Sequence, residues 1–306
     1  MTVLVGTDRG LQAFGGAGGA LLDGREVVDV AAEKDRFIAL VEPGMVLAGA
    51  PPDEDWELVA QRPVGGLTCL LPTRAGLLIG GDGAHLFRAE GQQIQRITAF
   101  DEVEGRDAWY TPWRGPPAVR SLAEAPDGAL LANVHVGGIL RSSDGGQSWE
   151  PTIDIDRDVH QVAVAPAGDV LAACGVGGLG ISDDAGRSWT FQAEGLDGEY
   201  CRAVAVTDRA ILVTASAGPF AQDGALYRRA LDGGPLERVR RDLPERAGGN
   251  IDTGWLAAAG ADAAVALPDG SVFGSEDGGD SWSRLGQVGR PRAVALSRRA
   301  PTASRR

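Results

Sequence analysis

The sequence predicts an all-β chain built from repeated units, and three observations carry that prediction. First, three eight-residue segments nearly superimpose: SSDGGQSW at 142–149, SDDAGRSW at 182–189 and SEDGGDSW at 275–282. Second, the stretches VRSLAEAPDGALLANVHVGGILRSSDGG (119–146) and VHQVAVAPAGDVLAACGVGGLGISDDAG (159–186) match almost position for position. Third, apolar residues alternate on either side of four-residue turns, APDG or APAG, which is the pattern of strands and hairpins. No stretch carries a 3.6-residue apolar period.

Taken in order, the units can be counted. A four-strand unit is readable from Glu26 to Ala60 and another from Gly66 to Thr98. Three more start near Val119, Val159 and Tyr200, and a sixth near Ile251. The segment ALDGGPLE at 230–237 keeps the Asp-x-Gly core of the repeat and loses its Ser and Trp. The remaining C-terminal strand, PRAVALS (291–297), and the N-terminal stretch TVLVGTDRGLQAFGGAGGALL together make one more unit. A split unit of this kind closes a ring and removes open sheet edges. The expectation is a seven-bladed β-propeller of four-stranded antiparallel blades, closed by a composite blade from the two termini. It would form one domain over 1–298, followed by a disordered basic tail at 299–306.

Composition narrows the function classes. The chain has 306 residues, is 43% hydrophobic and only 6% aromatic, and carries a formal charge of −13. Such a charge repels phosphate backbones and anionic lipid, so neither nucleic acid nor membrane is an expected partner. No apolar run is long enough to span a bilayer, and MTVLVGTDRG does not read as a secretory signal. Cys69, Cys174 and Cys201 are odd in number and lack metal-type spacing, which fits free thiols in a reducing cytoplasm.

The segment Ser-x-Asp-x-Gly-x-Ser-Trp resembles the Asp-box, or BNR repeat. It is found in sialidases, sortilin-type receptors, some xyloglucanases, and photosystem II assembly factors with their bacterial relatives. The resemblance implies that each box lies on the hairpin between third and fourth strands. Asp144, Asp184 and Asp277 would then accept backbone N–H bonds, while Gly146, Gly186 and Gly279 permit the turn. Trp149, Trp189 and Trp282 would pack between sheets. The boxes are therefore read as architecture. Arg120, Arg202, Arg292 and Tyr200 match a sialidase set in residue type. The N-terminal Phe/Tyr-Arg-Ile-Pro motif is absent, however, and sialidases generally have six blades, so sialidase activity is not expected.

Function is expected on the face that carries the long connections, 101–117, 216–225 and 241–255, because the opposite turns are uniformly short. All three histidines map to that face by strand alignment. His85, His135 and His160, with Asp156 or Asp158 in support, have the residue types of a divalent metal site. Alternatively, His135 and His160 serve as acid–base residues with Arg120 and Asp252. Substrate contacts are expected from Trp109, Tyr110 and Trp113 in the long insertion, and from Tyr200, Arg202, Asp82 and Glu42. Cys201 is a weaker candidate nucleophile, since no reactive-cysteine motif surrounds it. Two function classes stay open at this point. One is an enzyme performing hydrolase, lyase or cyclase chemistry on a polar, sugar-like or natural-product-like molecule. The other is a non-catalytic binding propeller that recognises a protein partner.

Overall fold

The computed structural model describes residues 1–15, 18–51, 55–112 and 115–298; Trp113 and the 299–306 tail lie outside the described residues. Among the described residues the regular structure is β-strand with three short 3-10 turns, at Thr98–Glu102, Arg106–Ala108 and Ile155–Arg157. The described residues form six sheets. Five have four strands and one has eight. The eight-stranded sheet is two antiparallel meanders, Val27–Glu33 to Glu57–Gln61 and Leu67–Thr73 to Gln93–Arg96. They join at their outer strands by one parallel pairing, Gln61 with Gln93.

The first strand of each meander faces the centre. Val27–Glu33, Leu67–Thr73, Val119–Glu124, Val159–Val164, Tyr200–Val206, Leu256–Ala259 and Pro291–Ser297 pack each against the next, and the last returns to the first. The ring is closed by chain termini: Pro291–Ser297 pairs antiparallel with Thr2–Thr7, which continues through Gly10–Phe14 to Gly19–Leu21. The sixth meander begins at Leu256, not near Ile251 as its sequence suggests, because residues 252–255 form a turn around Asp252.

Second strands read as continuous apolar runs because both of their faces are covered. LLANV (Leu130–Val134), VLAAC (Val170–Cys174) and AILVTAS (Ala210–Ser216) are buried at every position. Their side chains divide by strand parity between two neighbouring cores. Ala132 and Val134 join Leu78, Leu86 and Phe100, whereas Leu131 joins Val159, Val162 and Val170.

The three repeat segments form one kind of turn. Asp144 Oδ1 accepts the backbone N–H groups of Gln147 and Ser148 at 2.9 and 3.0 Å, and Asp184 and Asp277 do the same in their turns. A serine hydroxyl at the head of each turn donates to the same aspartate and accepts the N–H of Gly146, Gly186 or Gly279. Those glycines have φ of 95°, 84° and 84°, a region closed to most side chains. Trp149 and Trp282 are buried and donate their indole N–H to Gly146 and Gly279. Trp189 packs partly buried against Val162 and its neighbours.

Candidate functional site at the mouth of the ring

A recurrent irregularity builds the mouth. Six of the first strands shift register by one residue near their first residues, leaving Val28, Thr68, Arg120, His160, Arg202 and Arg292 as the unpaired residue. A bulge of this kind re-aims a side chain that regular pairing would direct into a neighbouring sheet. Val28, Thr68, Arg120 and Arg292 line a cavity of about 360 Å³ together with His135 and Asp252. The same four also line a deeper cavity of about 190 Å³ that includes Asp29, Ser121 and Gln161.

Asp252 organises the arginines. Its Oδ1 accepts from Arg202 at 2.8 Å, from the backbone of Thr253 at 2.8 Å and from Arg120 at 3.4 Å. Burial would raise this carboxyl, but the two guanidiniums outweigh it and hold Asp252 below the usual carboxylate range. Arg292 reaches Glu26 at 2.5 Å. With Arg290 also on the wall, the mouth concentrates positive charge within a chain of net charge −13.

Beside the arginines stand two histidines, one carboxylate and one phenol. His135 Nε2 lies 3.6 Å from Asp158 Oδ1, and His160 Nε2 lies 3.5 Å from Asp158 Oδ2. His160 Nδ1 sits 2.8 Å from the carbonyl of Cys201, which fixes its proton there and leaves Nε2 as an acceptor for the Tyr200 hydroxyl at 3.1 Å. Burial, reinforced by Arg120 and Arg202, pulls His135 down to about 4 and His160 to about 3, so both are neutral near pH 7. Burial raises Asp158 and Tyr200. Asp158 occupies the left-handed region, φ 49° and ψ 59°, as the residue closing the turn Ile155–Arg157. Aspartate adopts this conformation more readily than most residues, and here it turns the side chain into a polar cluster. Gly175 makes the space: a Cβ on it would meet Asp158 Oδ2 at 2.5 Å and the Tyr200 ring at 2.9 Å.

The structure thus brings His135, His160, Arg120, Arg202, Tyr200 and Asp252 to one place and separates others from it. His85 does not join the other two histidines. Its Nδ1 lies 2.8 Å from Asp101, which also accepts from Arg96 at 2.6 Å, and this group ties down the start of the insertion loop. Trp109 is not an open cover either. It is buried, tilted against Phe100 at 6.0 Å, because its indole fills the core between the second and third meanders. Tyr110 is exposed. Asp82 and Glu42 lie around Gly66, where Glu42 accepts the Gly66 N–H at 3.2 Å, and neither lines the mouth cavity. His160 is fully buried rather than solvated at a rim. Cys201 is buried and its thiol is pushed well above the ordinary range, which is the reverse of an activated nucleophile. Asp29, at depth, accepts the N–H groups of Val30 and Leu70; burial pushes it up to about 7. Neither Asp29 nor Gly175 carries a motif that singles it out in the sequence.

No protein-family profile matches the chain, and no curated protein matches it in sequence. Solved structures do match. It is similar to the GH74 xyloglucanase from Xanthomonas campestris, at a TM-score of 0.61 and 18% identity over 84% of this chain and 45% of that one. It is also similar to YCF48 bound to a D1 peptide, at 0.59 and 16% over 92% and 87%. A catalytically inactive virginiamycin B lyase from Staphylococcus aureus with quinupristin matches at 0.62 and 13% over 85% and 84%. The chain has a β-propeller fold. It spans less than half the length of the xyloglucanase and most of the length of the other two. At these identities the likeness concerns the propeller scaffold alone. No helix among the described residues is long and apolar enough to cross a membrane.

Proposed function

We propose that this propeller is an enzyme, a hydrolase or lyase, acting on a polar and anionic small molecule in the cavity at its mouth. The observation that carries the reading is convergence. Arg120, Asp252 and His135 line one cavity, and the Asp158–His160–Tyr200 group stands directly behind His135. Arg120 and Arg202, oriented by Asp252, would hold a carboxylate or phosphate group of the substrate. His135, with its three neighbours, would carry the reacting chemistry. Concave sites with a few convergent polar groups are where such ligands bind. That a xyloglucanase and virginiamycin B lyase share the propeller scaffold supports the reading.

The same reading takes the fold as a single seven-bladed Asp-box propeller over 1–298. It counts the eight-stranded sheet as two blades and places the protein in the cytoplasm, where Cys69, Cys174 and Cys201 stay free. Support comes from the cyclic order of the seven first strands and from the shared hydrogen-bond pattern of the three Asp turns.

One observation favours a second reading. Tyr110 and Phe220, on the long mouth-face loops, are 53% and 74% exposed, and a protein partner would cover them, as a peptide is bound by YCF48. The deciding experiment incubates the purified chain with sugar acids, lactones and cyclic esters and follows products by mass spectrometry. Turnover that falls at least tenfold in His135→Ala and loses substrate affinity in Arg120→Gln supports the enzyme. Absence of turnover, with a captured protein partner lost when 101–117 is removed, overturns it.

A further inference from the structure

We infer that His135, Asp158 and His160 form a binding site for one divalent first-row transition-metal ion. This rests on the enzymatic reading of the mouth and deepens it. The three side chains each offer a ligand atom, and those atoms lie within 4.8 Å of one another. His135 Nε2 lies 3.6 Å from Asp158 Oδ1 and His160 Nε2 lies 3.5 Å from Asp158 Oδ2, each close to the ligand–ligand separation of about 3.4 Å in a tetrahedral site with metal–ligand bonds of 2.0–2.1 Å. Two imidazoles and one carboxylate, with remaining positions open, is a donor set suited to zinc or ferrous iron rather than to magnesium or calcium.

Three further features point to a ligand here rather than to a satisfied polar cluster. Asp158 Oδ1 is buried and accepts no hydrogen bond among the described residues, so a carboxylate oxygen faces His135 Nε2 with nothing between them. His160 already has the support that metal-bound imidazoles use: its Nδ1–H is spent on the Cys201 carbonyl, which presents the Nε2 lone pair inward. Finally, Asp158 is held in a left-handed conformation against Gly175, with one carboxylate oxygen toward each histidine ring. The Tyr200 hydroxyl, which donates to His160 Nε2 at 3.1 Å, would give up that lone pair to the ion and turn to ligate it or to bond a ligand on it.

The location links the ion to the substrate class. His135 lines the mouth cavity, so the open positions face the space in which Arg120 sits. Arg120 and Arg202 disfavour positive charge at the two histidines, a repulsion that an anionic ligand bridging ion and guanidinium would offset.

The test is a titration of the purified full chain with Co²⁺, followed by visible absorption and by calorimetry. One equivalent should bind, with the spectrum of a four- or five-coordinate nitrogen–oxygen site. His135→Ala and Asp158→Asn should each weaken binding at least tenfold, whereas His85→Ala should leave it unchanged. Asn keeps the size of Asp158 and tolerates its backbone conformation, so loss of binding in that variant is not loss of the fold. Absence of stoichiometric binding, or binding indifferent to both substitutions, overturns the site. Co²⁺ bound at this triad by a protein that turns over no panel compound would uphold the site and refute the enzyme. Turnover that survives complete removal of metal by a chelator would uphold the enzyme and refute the site as part of it.

Discussion

Arg141 Nε donates a hydrogen bond of 2.9 Å to the carbonyl of Ala185, crossing from the third meander to the Asp turn of the fourth. The contact recurs. Arg88 reaches Gly145 O at 2.7 Å and Arg228 reaches Gly278 O at 3.0 Å, each from a third strand to the same position of the following turn. That position has φ of 75° and 81° where it is glycine, and 61° where it is Ala185. Alanine there bears a left-handed conformation that glycine adopts freely. Ala185→Gly is therefore expected to stabilise the protein by about 0.5–1 kcal/mol, the relief of strain exceeding the added freedom of the unfolded chain. Urea denaturation measures it; a variant less stable than the parent would show that the turn carries no strain at Ala185.

The scaffold was legible in the sequence because its signals are local. Alternation, the APDG and APAG turns and the three Asp turns each specify their own conformation, and PRAVALS at 291–297 is recovered as the strand Pro291–Ser297 that pairs with the N-terminus. The site was legible only in part. His135 and His160 stand out as rare residue types that strand alignment maps to one face. Their partnership with Asp158 depends on a bulge at His160 and a left-handed turn at Asp158, and neither has a sequence signature. His85 occupies the turn corresponding to that of His135, but Arg96, at the end of the strand Gln93–Arg96, and Asp101, at the start of the insertion, capture its ring. Trp109 is expected to contact substrate because it sits in a long loop; Phe100 and the neighbouring core instead give it a buried seat.

Asp29 should make stability depend on pH. Its folded pKa is raised from 3.8 to about 7 by burial, against the opposing N–H bonds of Leu70 and Val30, with Cys69 and Arg120 as its other near neighbours. The native state then binds more protons than the unfolded chain between these values, so stability falls as pH rises from about 4 to about 7 and levels off above. The loss attributable to this group is on the order of a few kcal/mol. In Asp29→Asn that slope should flatten: the variant is less stable than the parent at pH 5, and the gap narrows or reverses at pH 8. An unchanged slope in thermal melts across this range would show that the carboxyl titrates normally.

Asp252 holds two guanidiniums that otherwise repel. Asp252→Ala removes the acceptor at 2.8 Å from Arg202 and 3.4 Å from Arg120, leaving both half-buried cations unpaired. A loss of about 1–3 kcal/mol is expected, and the double variant Asp252→Ala/Arg202→Met should recover part of it, since one unpaired charge goes with its partner. The freed arginines should also take up anions. Added sulfate should raise the melting temperature of Asp252→Ala more than that of the parent. Equal shifts in the two proteins would mean that the arginines do not converge on a shared anion.

Gly175 tests the cluster without replacing any of its polar groups. Its backbone conformation is open to alanine, and its N–H donates to the Asp158 carbonyl at 2.9 Å, so the peptide itself is undisturbed by the change. The new Cβ, however, falls 2.5 Å from Asp158 Oδ2 and 2.9 Å from the Tyr200 ring, far inside contact distance. Either the carboxylate or the phenol must move. Overpacking of this kind costs about 1–3 kcal/mol of stability. The larger effect is expected at the site, where displacement of Asp158 from between His135 and His160 should weaken Co²⁺ binding at least tenfold and lower turnover in parallel. Gly175→Ala with full Co²⁺ affinity would show that the carboxylate finds its place without the space this glycine provides, and the geometric argument for the site would fail with it.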